Sequence, residues 1–339
     1  MKVVETLLVR DEVDVVDAHL AFNLNAGVDF VLAIDHESQD GTTDVLESYV
    51  GMGVLKRLPM AGRFREQEWR TALARMAASE HAADWVINSD ADQFWWPRVG
   101  TLRDAFAAVP DEVGSVRCWD RVFVPTTDDG RHFVERMTFR LVSRVPMNVP
   151  WSTYRPLPRV LHRGDSGISV SRGSHRVRAT SLRTRSSLSP VESLHFPWRS
   201  LDQMMKKAHV MDRAFAGESQ RPGGYHTAAG QALSRGTLEE HYASLAVDES
   251  TVALGLGTGD LVEDTRVRDA LRRIARACPL LAHASFDAVL AEQPVEFPEE
   301  TLDTRMELAL ETVAADEAEL VRLERRVDEL ACRVRALER

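Results

Sequence analysis

Asp90 and Asp92 follow a short apolar run, Trp85-Val86-Ile87, and precede an aromatic cluster, Phe94-Trp95-Trp96, closed by Pro97. Carboxylates one residue apart in extended chain point the same way. Together they suit a hard divalent ion such as Mg²⁺ or Mn²⁺, with phosphate oxygens and water completing its shell. Such an ion offsets charge building on a leaving diphosphate. A solvated acidic loop is the competing reading, and the preceding elements discriminate between the two.

The run before the pair is too short for a helix and bulky enough for a buried strand, so the acids fall just past its carboxyl end. Ligands of open α/β sheets bind along that edge. The earlier chain repeats the pattern. Val3 to Val9 reads as a strand ending at Arg10-Asp11-Glu12, and Val13 to Ala26 as a helix closed by Gly27. Val28 to Ile34 is a second strand ending at Asp35. Turn chemistry follows, with Ser38, Asp40 and Thr42 read as caps of a helix through Tyr49. Val54 to Leu58 gives a third strand and Arg65 to His81 a long helix. This alternation predicts an α/β fold: a Rossmann-like, mostly parallel sheet with helices on both faces. Asp11, Asp35 and Asp90 then share one sheet edge. No Gly-X-Gly-X-X-Gly follows the first strand and no Walker A sequence occurs, which counts against dinucleotide and P-loop sites.

With 339 residues, 44% of them hydrophobic, the chain is long enough for one large domain with appendages or for two. A net charge of −10 argues against general nucleic-acid binding. No apolar run approaches the length of a membrane span. Met1-Lys2-Val3-Val4-Glu5 leaves no room for a signal peptide before the first strand, and three scattered cysteines form no disulfide or zinc pattern. A cytoplasmic location is expected, with peripheral membrane association left open. Only Lys2, Lys56, Lys206 and Lys207 are lysines. Arginines gather at Arg155, Arg159, Arg163, Arg172, Arg176, Arg178, Arg183 and Arg185, either as solvated surface or as a wall facing an anion.

The order strand, Val-Arg-Asp-Glu, helix, strand, Asp-His-Glu-Ser-Gln-Asp-Gly-Thr, strand, helix, Asp-Ala-Asp resembles the nucleotide-binding half of family 2 glycosyltransferases with the GT-A fold. The resemblance covers residues 3–200 and is closest to a bacterial branch with an Asp-Ala-Asp-Glu-Phe motif. It implies that Asp35 contacts the nucleobase and that Arg10 begins the loop against the nucleotide. Arg70 then approaches the donor, and Asp90 and Asp92 bind the metal, with Asp92 the more usual direct ligand. Two departures stand out: Asp11 replaces the commoner Asn, and Gln93 replaces the Glu that usually follows the pair. Gly173-Ser174-His175 and Leu194-His195-Phe196 also resemble segments of this branch. A late histidine completing the metal shell is expected at His195 or His175. His162, His209 and His226 are read as structural.

An inverting transfer needs a base on the acceptor hydroxyl. Asp120, Glu135 and Asp165 are candidates by position, with Asp120 preferred and a Glu135 ion pair as the alternative. Phe133 to Val142 reads as strand and loop on the acceptor side, and Ser200 to Phe215 as a helix. Residues 217–236 read as loop, and residues 254–259 as glycine-rich without phosphate-loop spacing. The last stretch reads as a long helix. Leu320, Leu323, Val327, Leu330, Val334 and Leu337 alternate in steps of three and four. Self-association as a homo-oligomer through this short coiled coil is the first expectation.

Three regions are therefore expected: a GT-A domain over 1–215, a helical and loop-rich region over 216–297, and a terminal helix over 298–339. The expected activity is Mn²⁺- or Mg²⁺-dependent transfer of a sugar from a nucleoside-diphosphate sugar to an acceptor hydroxyl. The acceptor is a glycan, a lipid-linked intermediate or a natural product. Two rivals remain: a sugar nucleotidyltransferase, disfavoured by the missing glycine-rich, lysine-containing loop, and a non-catalytic protein of the same fold.

Overall fold

The computed structural model describes residues 1–118, 120–142, 159–179, 184–186, 190–214 and 225–277. The expected terminal helix over 298–339 and its coiled coil lie outside them, as do Arg155 and Arg183.

The chain opens with β1 (Val3–Val9), α1 (Val16–Ala26), β2 (Phe30–His36), α2 (Thr42–Gly51), β3 (Leu55–Met60), α3 (Glu66–Ser79) and β4 (Trp85–Asp90). Next come β5 (Gln93–Pro97), α4 (Leu102–Ala107), β6 (Val113–Cys118), β7 (Asp120–Val122), α5 (Phe133–Arg136), β8 (Phe139–Leu141) and β9 (Arg159–Arg163). Short strands β10 (Ser169–Val170), β11 (Val177–Arg178) and β12 (Thr184–Ser186) follow, with a 3-10 turn at Arg172–Ser174. The last described elements are β13 (Val191–His195), α6 (Leu201–Ala214), α7 (Tyr225–Arg235), α8 (Leu238–Leu245), α9 (Glu249–Thr258), β14 (Leu261–Glu263) and α10 (Arg266–Ala277).

Seven strands form the main sheet in the order β12-β6-β9-β4-β1-β2-β3. Strands β1 to β4 are parallel. Strand β9 is inserted antiparallel between β4 and β6, and β12 runs parallel to β6. The mostly parallel sheet agrees with the expected fold class. Alternation along β1 divides the core. Val3, Leu7 and Val9 pack with Leu20 and Phe22 of α1, Leu46 of α2, Phe106 of α4 and Ile274 of α10. Val4 faces the other way, toward Trp69, Leu73 and Ala77 of α3. Each such side chain contributes about 1.5–3 kcal/mol by leaving water.

Two local expectations, over Phe133 to Val142 and over residues 217–236, need correction, and two other stretches gain a defined form. The aromatic cluster after Asp92 is strand β5, which pairs antiparallel with β13, His195 opposite Gln93 and Val191 opposite Pro97. Phe133 to Arg136 is a helical turn, and only Phe139–Leu141 is strand, paired with β14. Residues 225–235, expected to be loop, form α7. The glycine-rich stretch ends α9: Gly259 closes it at φ +76°, and a Cβ on Gly255 would sit 2.6 Å from the Leu261 side chain of β14. Its glycines serve helix termination and close packing. Among the described residues no helix is long and apolar enough to cross a membrane.

Candidate functional site

The loops after β1 and β2 are latched to each other. The Asp11 N–H donates to Ser38 Oγ (3.1 Å) and the Gln39 N–H to Asp11 Oδ1 (2.7 Å). The Glu12 N–H donates to Thr42 Oγ1 (2.9 Å) and the Val13 N–H to Asp40 Oδ2 (3.1 Å). Ser38, Asp40 and Thr42 thus reach across to the first loop. Only Asp40 also takes the N–H of Thr42, and the N-cap of α2 is Gly41, without a side-chain cap. Asp11 has φ +53°. Asn and Asp are the non-glycine residues best tolerated there, so the exchange of the commoner Asn for Asp leaves the backbone's need met.

Asp35, 3% exposed, turns inward at the end of β2. It accepts from the Ser38 N–H (3.2 Å) and Thr43 Oγ1 (2.6 Å), and Arg57 lies 3.4 Å away. Beside it His36 donates to the Gly62 carbonyl (2.8 Å), which leaves Nδ1 to accept from Arg10 Nη1 at 3.4 Å. The ring stacks on Phe64 and meets Trp69 edge-on.

Asp90 is bracketed by arginines. Arg70, 2% exposed on α3, donates to its Oδ1, and Arg159 Nη1 lies 3.1 Å from its Oδ2. Burial opposes the charge on Asp90, but the two guanidinium groups outweigh it and hold the carboxyl well below the usual range. The bracket closes into a ring. Glu66 accepts from Arg70 Nε (3.0 Å) and from the Gly173 N–H (2.8 Å), while the Gly173 carbonyl accepts from Arg159 Nη1 (2.7 Å). Gly173 stands at φ +64°, and a Cβ there would meet the His175 ring at 2.4 Å. His175 therefore borders the Asp90 side of the cluster.

Asp92 has a different set of partners. Residues 91–92 form the turn between β4 and β5, so the extended geometry that would aim the two acids together is broken. Lys207 Nζ of α6 donates to Asp92 Oδ2 at 2.9 Å, and Arg199 Nη1 is 3.8 Å from the same oxygen. His195 Nε2 lies 3.3 Å from Asp92 Oδ1, and its Nδ1 is 3.6 Å from Asp120 Oδ2. Burial works against the Asp92 charge, yet Lys207, His195 and Arg199 hold the carboxyl well below the usual range.

Asp120 reaches the cluster from β7 with both oxygens engaged: Gln93 Nε2 donates at 3.1 Å and Arg159 Nε at 3.0 Å. Gln93, fully buried, also accepts the Asp90 N–H at 3.0 Å. A Glu in its place would set one carboxylate against another. The amide is therefore what lets this position bridge Asp90 and Asp120. The other two candidates for a base are placed elsewhere. Glu135 is paired with Arg272 of α10, and Asp165 follows Arg163, which pairs with Trp85 at the far end of β4 from Asp90. Arg159 and Arg163 face opposite ends of the sheet, so the arginine stretch is not one wall. His162 is a core histidine, fully buried in β9, while His209 is exposed on α6.

Spacing overlooked several members of the cluster. Glu12 accepts from Arg199 Nη2 (2.5 Å) and lies 3.2 Å from Lys207 Nζ; burial pushes its carboxyl up against the pull of both cations. Arg199 also donates to Asp14 through Nε (2.6 Å) and stands over the Phe133 ring. One signal was available: Lys207 is among only four lysines, two of them consecutive.

Among the described residues no group of three or more His, Cys, Asp or Glu side chains is arranged to hold a metal ion. An ion shared with a diphosphate needs fewer, often one or two carboxylates. Asp92 Oδ1 is buried, and among the described residues its polar neighbour is His195 Nε2. Adjacent donors on an octahedral Mg²⁺ lie about 3.0 Å apart, close to the 3.3 Å between this oxygen and His195 Nε2. A proton on Nδ1, facing Asp120, leaves Nε2 free to ligate. Asp92 and His195 thus fit such an ion. Asp90 does not, because a guanidinium holds each of its oxygens.

No family model and no curated protein matches the sequence. Similar solved structures include residues 1–349 of TarS from S. aureus, 14% identical over 85% of this chain and 90% of that one, with a TM-score of 0.34. The same fragment in complex with UDP is 15% identical over 85% and 88%, with a TM-score of 0.35. A mycobacterial protein is 18% identical over 40% and 44%, with a TM-score of 0.24. At such scores the functional reading rests on the side chains alone.

Proposed function

We propose that the chain is a glycosyltransferase that moves a sugar from a nucleoside-diphosphate sugar to an acceptor hydroxyl, with Mn²⁺ or Mg²⁺ at Asp92 and His195. The observation that carries this is the line Asp92–His195–Asp120 at the carboxyl edge of a mostly parallel sheet, with a buried Asp92 oxygen 3.3 Å from an imidazole nitrogen. The ion, when bound, offsets charge on the leaving diphosphate. Asp120 and Gln93 orient His195 and Arg159 around it. Arg70 and Arg159 hold Asp90 so that the β4–β5 turn keeps its shape. Asp35 holds the loop of residues 36–43, and Arg10 with His36 lines the nucleoside side of the same edge. Inversion at the anomeric carbon is taken from the family resemblance.

The test is a melting-temperature panel of UDP, GDP, dTDP, CDP and ADP, each with Mn²⁺, Mg²⁺ or EDTA, on wild type and Asp92→Asn. A ligand at about 100 times its Kd stabilises the native state by roughly 2.7 kcal/mol. One diphosphate is expected to raise the melting point only with metal, and the variant to lose that rise while melting cooperatively. No stabilisation by any nucleotide would overturn the reading.

A further inference from the structure

The carboxylate assigned to the ion already has a cation on it. Lys207 Nζ stands between two buried acids, 2.9 Å from Asp92 Oδ2 and 3.2 Å from Glu12 Oε1. Its side chain is 20% exposed, whereas those of Asp92 and Glu12 are 4% and 11% exposed. The ammonium ends a flexible four-carbon stem and is a compact charge, so it can pass between the two carboxylates without moving α6. A divalent ion on Asp92 would lie within a few ångströms of that ammonium, in a buried site where repulsion between like charges is screened far less than in water.

We propose that Lys207 is an internal competitor of the divalent ion. It neutralises Asp92 while the site is empty and retreats onto Glu12 when the ion arrives. Ion affinity is thereby set low until a diphosphate adds its own oxygens, so ion and nucleotide enter together. Glu12 becomes the residue that receives the displaced charge. This inference rests on the assignment of Asp92 to the ion.

The experiment is a titration of the full-length protein with Mn²⁺ alone, reading the free ion by electron paramagnetic resonance. It compares wild type, Lys207→Met, Lys207→Arg and Asp92→Asn. Melting in EDTA confirms that each variant is folded. Removing an opposite charge beside a carboxylate changes its occupancy by about tenfold or more. Lys207→Met is therefore expected to bind Mn²⁺ about tenfold tighter, and Lys207→Arg to stay near wild type. Lys207→Met should also melt lower in EDTA and recover with Mn²⁺. Unchanged or weaker binding by Lys207→Met overturns the proposal. If Asp92→Asn still abolishes binding in that case, the ion assignment stands by itself. Absence of Mn²⁺ binding in every protein removes both.

Discussion

Arg159 Nη1 lies 3.1 Å from Asp90 Oδ2, which ties the first residue of an antiparallel strand to the last residue of the parallel strand beside it. The same guanidinium reaches Asp120 through Nε at 3.0 Å. Arg159→Ala leaves two carboxylates short of their counter-charge. Removing one partner of a buried pair costs about 3–5 kcal/mol. Urea unfolding is expected to show a loss in that range, and Arg159→Lys should recover only part of it, since one ammonium cannot present the same fork.

Gln93→Glu restores the residue usual in the resembling family, yet it should destabilise this chain. It removes the donor to Asp120 and adds a buried negative charge beside it. A lost buried hydrogen bond of this kind costs about 1–3 kcal/mol. The deficit should shrink below about pH 5, where the introduced carboxyl takes up a proton. A deficit independent of pH would show that repulsion is not its cause.

Gly173→Ala puts a side chain where φ is +64° and where the His175 ring already stands. The left-handed conformation costs about 1–2 kcal/mol for a residue with a Cβ, and the ring must also move. Calorimetry should show a lower melting point. Gly164→Ala should be worse, because its Cβ would fall 1.9 Å from the Ala83 carbonyl oxygen, which is backbone and cannot swing aside.

His162 makes stability fall with acidity. Its Nδ1 donates to the Arg163 carbonyl (2.9 Å), its Nε2 is buried without a partner, and burial lowers its pKa from 6.5 to about 4. The unfolded chain therefore takes up this proton first as pH drops. The stabilisation is fully present above about pH 6.5 and is lost between there and about pH 4, amounting to about 3 kcal/mol. His162→Gln should flatten that part of the stability–pH curve. An unchanged slope would assign it to other groups.

The strands β1 to β4 and the acids at their ends were legible because their signals are local: apolar runs of strand length broken by Asp, Gly and Ser. The gathering of Asp35, Asp90 and Arg10 on one edge follows from that alternation. The shared direction of Asp90 and Asp92 failed because Ala91 and Asp92 turn the chain. Strand β5 was hidden because it is covered on both faces, so Phe94, Trp95 and Trp96 show no alternation. Lys207 and Arg199 were illegible as site residues, and Arg159 could not be told apart from the other arginines of its stretch, because their partners lie far away in sequence and no periodicity encodes such a distance. Helix α7 was obscured by its polar composition and by Gly230.

The register that sets His195 opposite Gln93 also fixes when the site can exist during synthesis. Asp90 and Asp92 leave the ribosome about a hundred residues before His195, Arg199 and Lys207. A nascent chain with β1 to β4 exposed already carries Arg70 beside Asp90 and Arg57 beside Asp35, but Glu12 and Asp92 still lack Arg199 and Lys207. Strand β13, between β5 and β7, brings His195 to Asp92 and leads directly into Arg199 and α6, so the counter-charges of Asp92 become available only once this late segment has been made.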